Sequence, residues 1–416
     1  MDVWNGIRQG CTCSPQLFIM AVNEVISGLQ RSGLGFRNEN VYVPALFFAD
    51  DGVILGSSVR EVERMIDVLV RKSAEIGMTV NKSKCNVLVF NWKTDVRSIK
   101  GMNVVKDVKY LGVRVSSGKD LFKVHRENVG LKARKMNNMT YSVIHKSCNR
   151  VLIGKTYWKS VVLPGLLYGS SVFCWNVGDI ERLQKCENAV WRCVLGAPSY
   201  APLVTLQGEV GSSSMLARDM KAKLKYEKHV RNGENELLRS MYDDMCEWNK
   251  CKWLETVKMY RERVGMQASE LDDLSNECIK KKVYAWESDR WNEERMQKST
   301  IRVYNECKSE IKDEGLYEND WGSVLLFRCR SNSLRLKWRE RFVNGNVNCV
   351  ACGRGVEENL EHFLCVCEWY DGVRRDFGMN GVSVKDQLFG SGLVWARECR
   401  NNLECMWKRR KLRTDE

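Results

Sequence analysis

Residues 45–54 read Ala45-Leu-Phe-Phe-Ala-Asp50-Asp51-Gly-Val-Ile54, two adjacent carboxylates between two short apolar runs. Each run is too short, and too rich in Phe, Val and Ile, for a helix, so the pattern predicts a β-hairpin with the acids at its turn. Asp and Gly are ordinary turn residues, and a plain surface turn accounts for the stretch equally well on its own. Two carboxylates held side by side repel each other, however. A divalent cation relieves that repulsion, because hard cations such as Mg²⁺ take oxygen ligands. The flanking sequence decides between turn and metal site.

Upstream, Gly6-Ile-Arg8-Gln9-Gly10-Cys-Thr-Cys-Ser14-Pro15-Gln-Leu17-Phe18 leads into an apolar-periodic stretch. Ser14 and Pro15 suit an N-cap and a first helical position. Phe18, Val22, Val25, Ile26 and Leu29 then recur at helical spacing, which predicts a helix over 15–31. Glycines in the feeding loop would let a ligand approach the backbone, and a merely flexible loop is the alternative. Downstream, Val59, Val62, Met65, Ile66, Leu69 and Val70 predict an amphipathic helix over 59–76.

Together the two segments resemble the reverse transcriptases of non-LTR (LINE-type) retrotransposons. Residues 6–18 are similar to the family's G-x-R-Q-G-C-x-x-S-P-x-L-F motif, and Phe48-Ala-Asp50-Asp51 to its F-A-D-D motif. Gly77-Met-Thr-Val-Asn81-Lys-Ser-Lys84 resembles the G-L-x-x-N-x-x-K motif, and Lys109-Tyr110-Leu111-Gly112 the K-Y-L-G strand. The resemblance implies an α+β chain: a partial polymerase palm, then a mainly helical thumb and carboxyl-terminal region. It implies an RNA template and a DNA primer or target as partners, and Mg²⁺ on Asp50 and Asp51, with Asp50 the principal ligand. Arg8, Gln9 and Gly10 would lie near the nucleotide and template base, and Lys84 near the departing phosphates; a solvent-exposed Arg8 or turn Lys84 is the competing reading. The family's third carboxylate sits on an F-x-x-x-D strand before the Gln-Gly loop. Here Met1–Asn5 precede that loop, and Asp2 lacks that context. The expectation is an amino-terminally truncated chain that does not polymerise alone, with a nucleic-acid-binding zinc protein or an element remnant as alternatives.

The formal charge of +14 over 416 residues favours a polyanionic partner without reading its sequence. No secretory h-region and no long apolar run is evident, which predicts a soluble intracellular chain with no membrane partner. Most of the 18 cysteines are scattered, as thiols in a reducing compartment are. One group stands apart: Cys349-Val-Ala-Cys352, then His362 and Cys367, a spacing that closes a tetrahedral Zn²⁺ site. It also resembles the Cys/His knuckle that follows the thumb in many non-LTR elements, with Cys365 as a sterically feasible substitute ligand.

Between palm and knuckle the pattern is helical. Lys123, Arg126, Lys132, Arg134, Lys135 and Lys146 would line a thumb that grips phosphates, or simply a solvated face. Pro164-Gly165 predicts a break in the apolar stretch from Val161 to Trp175. Trp248, Trp253, Trp286 and Trp291 are read as packing residues of a charged helical region. Arg328, Arg330, Arg335, Lys337 and Arg339 concentrate charge around Trp338, as a backbone contact to RNA or DNA would. Lys408-Arg409-Arg410-Lys411 predicts a disordered tail or a nuclear signal. Motif positions divide the chain into 1–115 (partial palm), 116–210 (thumb and connection), 211–325 (charged helices), 326–375 (basic segment and knuckle) and 376–416 (basic tail).

Overall fold

The computed structural model describes residues 10–91, 96–248, 251–342 and 345–414; Arg8 and Gln9 lie outside them. The chain divides into two compact units. One gathers Met1–Asn128, Ser171–Cys174 and Tyr226–Met259; the other gathers Val129–Ser170, Trp175–Lys225 and Tyr260–Glu416.

In the first unit the helix α1 spans Ser14–Arg31, opened by Pro15 in its first turn. Strands β1 (Phe36–Arg37) and β2 (Tyr42–Val43) pair antiparallel, and β3 (Ala45–Phe48) and β4 (Asp51–Ile54) form the anticipated hairpin. Helix α2 (Val59–Glu75) follows, and its N-cap Ser58 accepts from the Glu61 amide at 3.2 Å. The Glu61 carboxylate in turn accepts from the Gly35 amide at 2.8 Å and the Ser57 amide at 2.7 Å. These bonds hold the carboxyl below its usual range, chiefly through the Gly35 amide, and fix where the helix starts. Strands β5 (Asn86–Leu88), β6 (Ser98–Ile99) and β7 (Met102–Val105) make a sheet of order β5-β7-β6. Its inner face meets α2: Ile66 packs on Ile99 and Met102, with Val62 and Val70 beside them. β8 (Asp107–Tyr110) and β9 (Val113–Ser116) close the β part as a second hairpin.

Beyond β9 the chain is helical. The helices are α3 (Lys123–Lys146), α4 (Arg150–Tyr157), α5 (Leu163–Leu167), α6 (Val177–Leu195), α7 (Leu203–Val210) and α8 (Met215–Asn232). Then come α9 (Glu236–Trp248), α10 (Lys252–Arg263), α11 (Ala268–Asp273), α12 (Asn276–Met296) and α13 (Arg302–Cys307). The last are α14 (Trp321–Arg330), α15 (Asp371–Asp376), α16 (Val384–Phe389) and α17 (Leu393–Thr414). Two of the four tryptophans singled out from sequence donate to backbone carbonyls: Trp291 to Val204 at 2.8 Å and Trp253 to Ser171 at 2.7 Å. Trp248 is 65% exposed.

Two expectations fail here. Pro164-Gly165 does not break the chain: a π-helical turn, Trp158–Val162, runs directly into α5 with Pro164 in its first turn. A widened turn admits a residue that has no amide to give and whose ring crowds the preceding turn. The segment read as a basic tail is the 22-residue helix α17, laid along α14. Gly322 sets how close they lie, since a Cβ there would stand 2.6 Å from the Arg400 carbonyl. Among the described residues no helix is long and apolar enough to cross a membrane.

Candidate functional site

The register Phe48↔Asp51 leaves Ala49 and Asp50 as the two-residue tip of the β3-β4 hairpin. Ala49 has φ +53°, a left-handed conformation that a residue with a Cβ rarely adopts. Asp50 and Asp51 are both exposed, and among the described residues neither forms an ion pair. Burial pushes the Tyr110 hydroxyl of the second hairpin up, and the Asp51 charge adds to the effect. Gly10, with φ +82°, is exposed just ahead of α1. Lys84 is exposed in the turn before β5 and pairs with neither hairpin carboxylate. The surroundings of the tip are apolar and open: Phe48 is 66% exposed and Leu46 42%.

The Cys/His group is built in the opposite way. Cys349 and Cys352 lie on a turn, and His362 and Cys367 bracket a π-helical segment, His362–Val366. Their ligand atoms all lie within 4.8 Å of one another. Cys349 Sγ is 3.9 Å from Cys367 Sγ, and Cys352 Sγ is 3.6 Å from His362 Nε2. A tetrahedral Zn²⁺ at about 2.3 Å from sulfur and about 2.0 Å from nitrogen separates such pairs by roughly 3.8 and 3.5 Å. The donor set therefore fits zinc. Donation from the Cys367 thiol brings the Cys349 thiol below its ordinary value, which favours a thiolate there. Cys365 is not a member: its thiol donates to the Val382 carbonyl at 3.4 Å.

Two groups that the sequence reading missed hold this knuckle in place. Glu358, fully buried, accepts from Arg410 Nε and Nη2 at 2.8 and 2.9 Å, so a residue of the supposed tail is an internal ligand of the knuckle. Arg409 and Arg413 of the same helix cover Trp369, at 5.0 and 4.3 Å from the ring centre.

The basic segment before the knuckle divides. Arg330 is 2% exposed and is bound to Glu209 at 3.2 Å, Glu314 at 3.0 Å and the Leu388 carbonyl at 3.2 Å. It is an internal ion-pair residue and not a phosphate contact. Arg328 gives Nε and Nη2 to the Gly196 carbonyl at 3.0 and 2.9 Å and covers Trp321. Lys337 pairs with Glu340 at 2.9 Å, Arg335 is exposed, and Arg339 lies over Tyr200 and Trp338. In the thumb segment Arg126 is likewise removed from the surface: it is 4% exposed and pairs with Asp120 at 3.0 Å. Lys123, Lys132, Arg134, Lys135 and Lys146 stay exposed.

Residues 1–115 match the family "Reverse transcriptase (RNA-dependent DNA polymerase)". Over 429 aligned residues the chain is 23% identical to a retrovirus-related Pol polyprotein from type-1 retrotransposable element R1 2 of Nasonia vitripennis. That alignment covers 95% of this chain and 94% of the relative. A second Nasonia vitripennis Pol polyprotein, from element R1, is 25% identical over 46% of this chain and 59% of its own length. A putative uncharacterized transposon-derived protein of Caenorhabditis elegans is 27% identical over 36% of this chain and 56% of its own. The palm motifs in order on the first unit and a relative matched nearly end to end support a reverse transcriptase of the non-LTR (LINE-type) retrotransposon kind.

Proposed function

We propose that Asp50 and Asp51 supply part of a two-metal site for transfer of a nucleotidyl group from a deoxynucleoside triphosphate to a DNA primer on an RNA template, and that Cys349, Cys352, His362 and Cys367 hold a structural Zn²⁺. The observation that carries the first assignment is the hairpin tip: two adjacent carboxylates, both exposed and unpaired among the described residues. They are the hard oxygen donors that Mg²⁺ takes. Bound there, Mg²⁺ would acidify a primer 3′-hydroxyl and stabilise a leaving pyrophosphate. Of the chain's own groups, Asp50 and Asp51 orient that charge, and the left-handed Ala49 fixes the tip that presents them. Gly10 leaves room for a base to approach the backbone, while Arg8, Gln9 and Lys84 are assigned to nucleotide and phosphates on the motif alone. Two carboxylates hold such ions weakly, so the site calls for a third carboxylate from another strand. The open, apolar Leu46 and Phe48 around the tip are consistent with such a neighbour. Arg335, Lys337, Arg328 and Arg339 are the remaining candidates for backbone contacts beside the knuckle.

The test is a Mn²⁺ titration of the chain read by paramagnetic broadening. Resonances of Gly52 and Tyr110 should broaden first, and Asp50→Ala should abolish the effect; broadening that survives the substitution overturns the assignment. In template-primer extension, these 416 residues should incorporate little nucleotide. Robust incorporation abolished by Asp50→Ala would defeat the argument from donor number while keeping Asp50 in the site.

A further inference from the structure

The second unit carries a surface that none of the motifs describes. Loop 196–201 joins α6 to α7, and two arginines fasten it. Arg192 donates to the carbonyls of Pro198, Ser199 and Ala201 at 3.4, 3.0 and 3.2 Å, and Arg328 donates to that of Gly196. The loop presents Tyr200, 52% exposed, whose hydroxyl donates to the Ser333 carbonyl at 3.1 Å. The Arg339 guanidinium covers the Tyr200 ring, 5.0 Å from its centre. Trp321, 41% exposed, is covered in the same manner by Arg328 at 5.3 Å. Arg150, at the start of α4, is close enough to Arg328 for their charges to interact.

This is an unusual electrostatic neighbourhood. Among the described residues, none of Arg150, Arg192, Arg328 and Arg339 is in an ion pair. Burial lowers the pKa of all four, so each guanidinium has given up water without gaining a carboxylate. The acid nearest in effect, Asp320, is engaged by Arg400 at 3.2 Å and caps α14 through the Ser323 amide. A partner that brings anionic oxygens together with flat faces would complete both halves of the arrangement: oxygens for the guanidinium N–H groups, and faces for rings already held rigid and open to solvent.

We propose that Tyr200 and Trp321, with Arg150, Arg328 and Arg339, form a binding surface for single-stranded RNA, on which unpaired bases stack and whose phosphates the arginines contact. Arg192 is a positioning residue that holds the Tyr200 loop. A duplex hides its base faces, so exposed aromatics favour the single strand over the double. Charge alone would not discriminate, because phosphate contacts serve both. The proposal rests on the reading of the chain as a nucleic-acid enzyme, and it adds the Tyr200 and Trp321 rings and Arg150 to the phosphate contacts assigned above to Arg328 and Arg339.

The test uses the full chain loaded with zinc, and fluorescence anisotropy with a labelled oligouridine and a duplex RNA of equal length. The wild-type chain should prefer the single strand. Tyr200→Ala and Trp321→Ala should each weaken that binding about tenfold, the scale of one base stack. Tyr200→Phe, which keeps the ring and loses the bond to Ser333, should bind as wild type. Arg150→Gln should lower the slope of log K against log salt by about one, whereas the aromatic variants should leave the slope unchanged. Equal losses for Tyr200→Phe and Tyr200→Ala would make the role structural and overturn the proposal. So would equal affinity for single strand and duplex, or a change of oligomeric state in Tyr200→Ala without a change in RNA binding. An intact Mn²⁺ response at the hairpin with RNA binding indifferent to Tyr200 and Trp321 defeats this inference alone; the reverse pattern defeats only the assignment of the hairpin.

Discussion

The acidic hairpin and the Cys/His knuckle are both clusters of metal-ligand residue types, yet they stand in opposite relations to their surroundings. At the hairpin two carboxylates project from a two-residue turn, exposed and unpaired, with apolar side chains open around them. At the knuckle four ligand atoms already lie at the spacing of a tetrahedral ion, three of the residues are buried, and a buried ion pair ties the segment to α17. An enzyme site has to leave coordination positions free for substrate, whereas a structural site closes them. On the assignments proposed above, the contrast separates a place for chemistry from a place for stability, and it allows each to be attacked separately.

The sharpest attack is on the knuckle. Cys352→Ser, or chelation of the zinc-loaded chain, should unfold the packing around Phe363, Tyr370 and Trp407 and cost several kcal/mol, because metal affinity in such sites is folding energy. Thermal unfolding with and without chelator measures it, together with zinc stoichiometry. A chain that melts identically in both conditions would erase the distinction drawn here, since both clusters would then be open. Asp50→Ala, by contrast, removes an exposed group and should leave the melting temperature almost unchanged.

Smaller, and directed at what holds the knuckle, is the Glu358–Arg410 pair. Arg410→Ala leaves a fully buried carboxylate without its partner and should cost about 3–5 kcal/mol in urea unfolding. Replacing both residues with apolar ones of similar size should recover most of that loss, because the penalty is the unpaired charge and not the absence of the pair. If Arg410→Ala is silent, the knuckle stands free of α17 and the basic residues there revert to a surface role.

Much of this contrast was legible from residues alone. Two short apolar runs around Asp50-Asp51 placed the hairpin, periodicity placed α1 and α2 to within a residue or so, and C-x-x-C followed by His362 and Cys367 picked out the group whose ligand atoms the fold brings together. What was not legible were the fates of individual basic residues within a run. Arg328 and Arg330 are two positions apart on α14, about 200° around the helix, so one faces the Gly196 loop while the other enters the core beside Glu209 and Glu314. Arg409 and Arg410 divide in the same way between Trp369 and Glu358. Composition counts such residues together, whereas helical geometry sends them to opposite environments. The partners that decide the matter, Glu209 and Glu358, lie far away in sequence and carry no motif. Pro164 escaped for a related reason, since a π-turn is a tertiary accommodation that local propensity does not encode.

The smallest effect concerns a partly exposed carboxylate of the first unit. Asp120 accepts from Arg126, and that hydrogen bond is the main cause of a carboxyl held below its ordinary value. A depressed folded-state pKa means that the unfolded chain binds the proton first. The stabilisation is therefore complete above the unfolded carboxyl value of about 3.9 and is lost as pH falls through the lower folded value. The Asp120 side chain is 41% exposed, so solvent screening should limit the contribution to about 1 kcal/mol or less. Asp120→Asn should accordingly lower the melting temperature slightly at pH 7, and wild type and variant should converge as the pH is taken below that window. Divergence towards acid would mean that the carboxyl is raised in the fold, which is the mark of a desolvated group. It would set Asp120 beside buried acids such as Glu358.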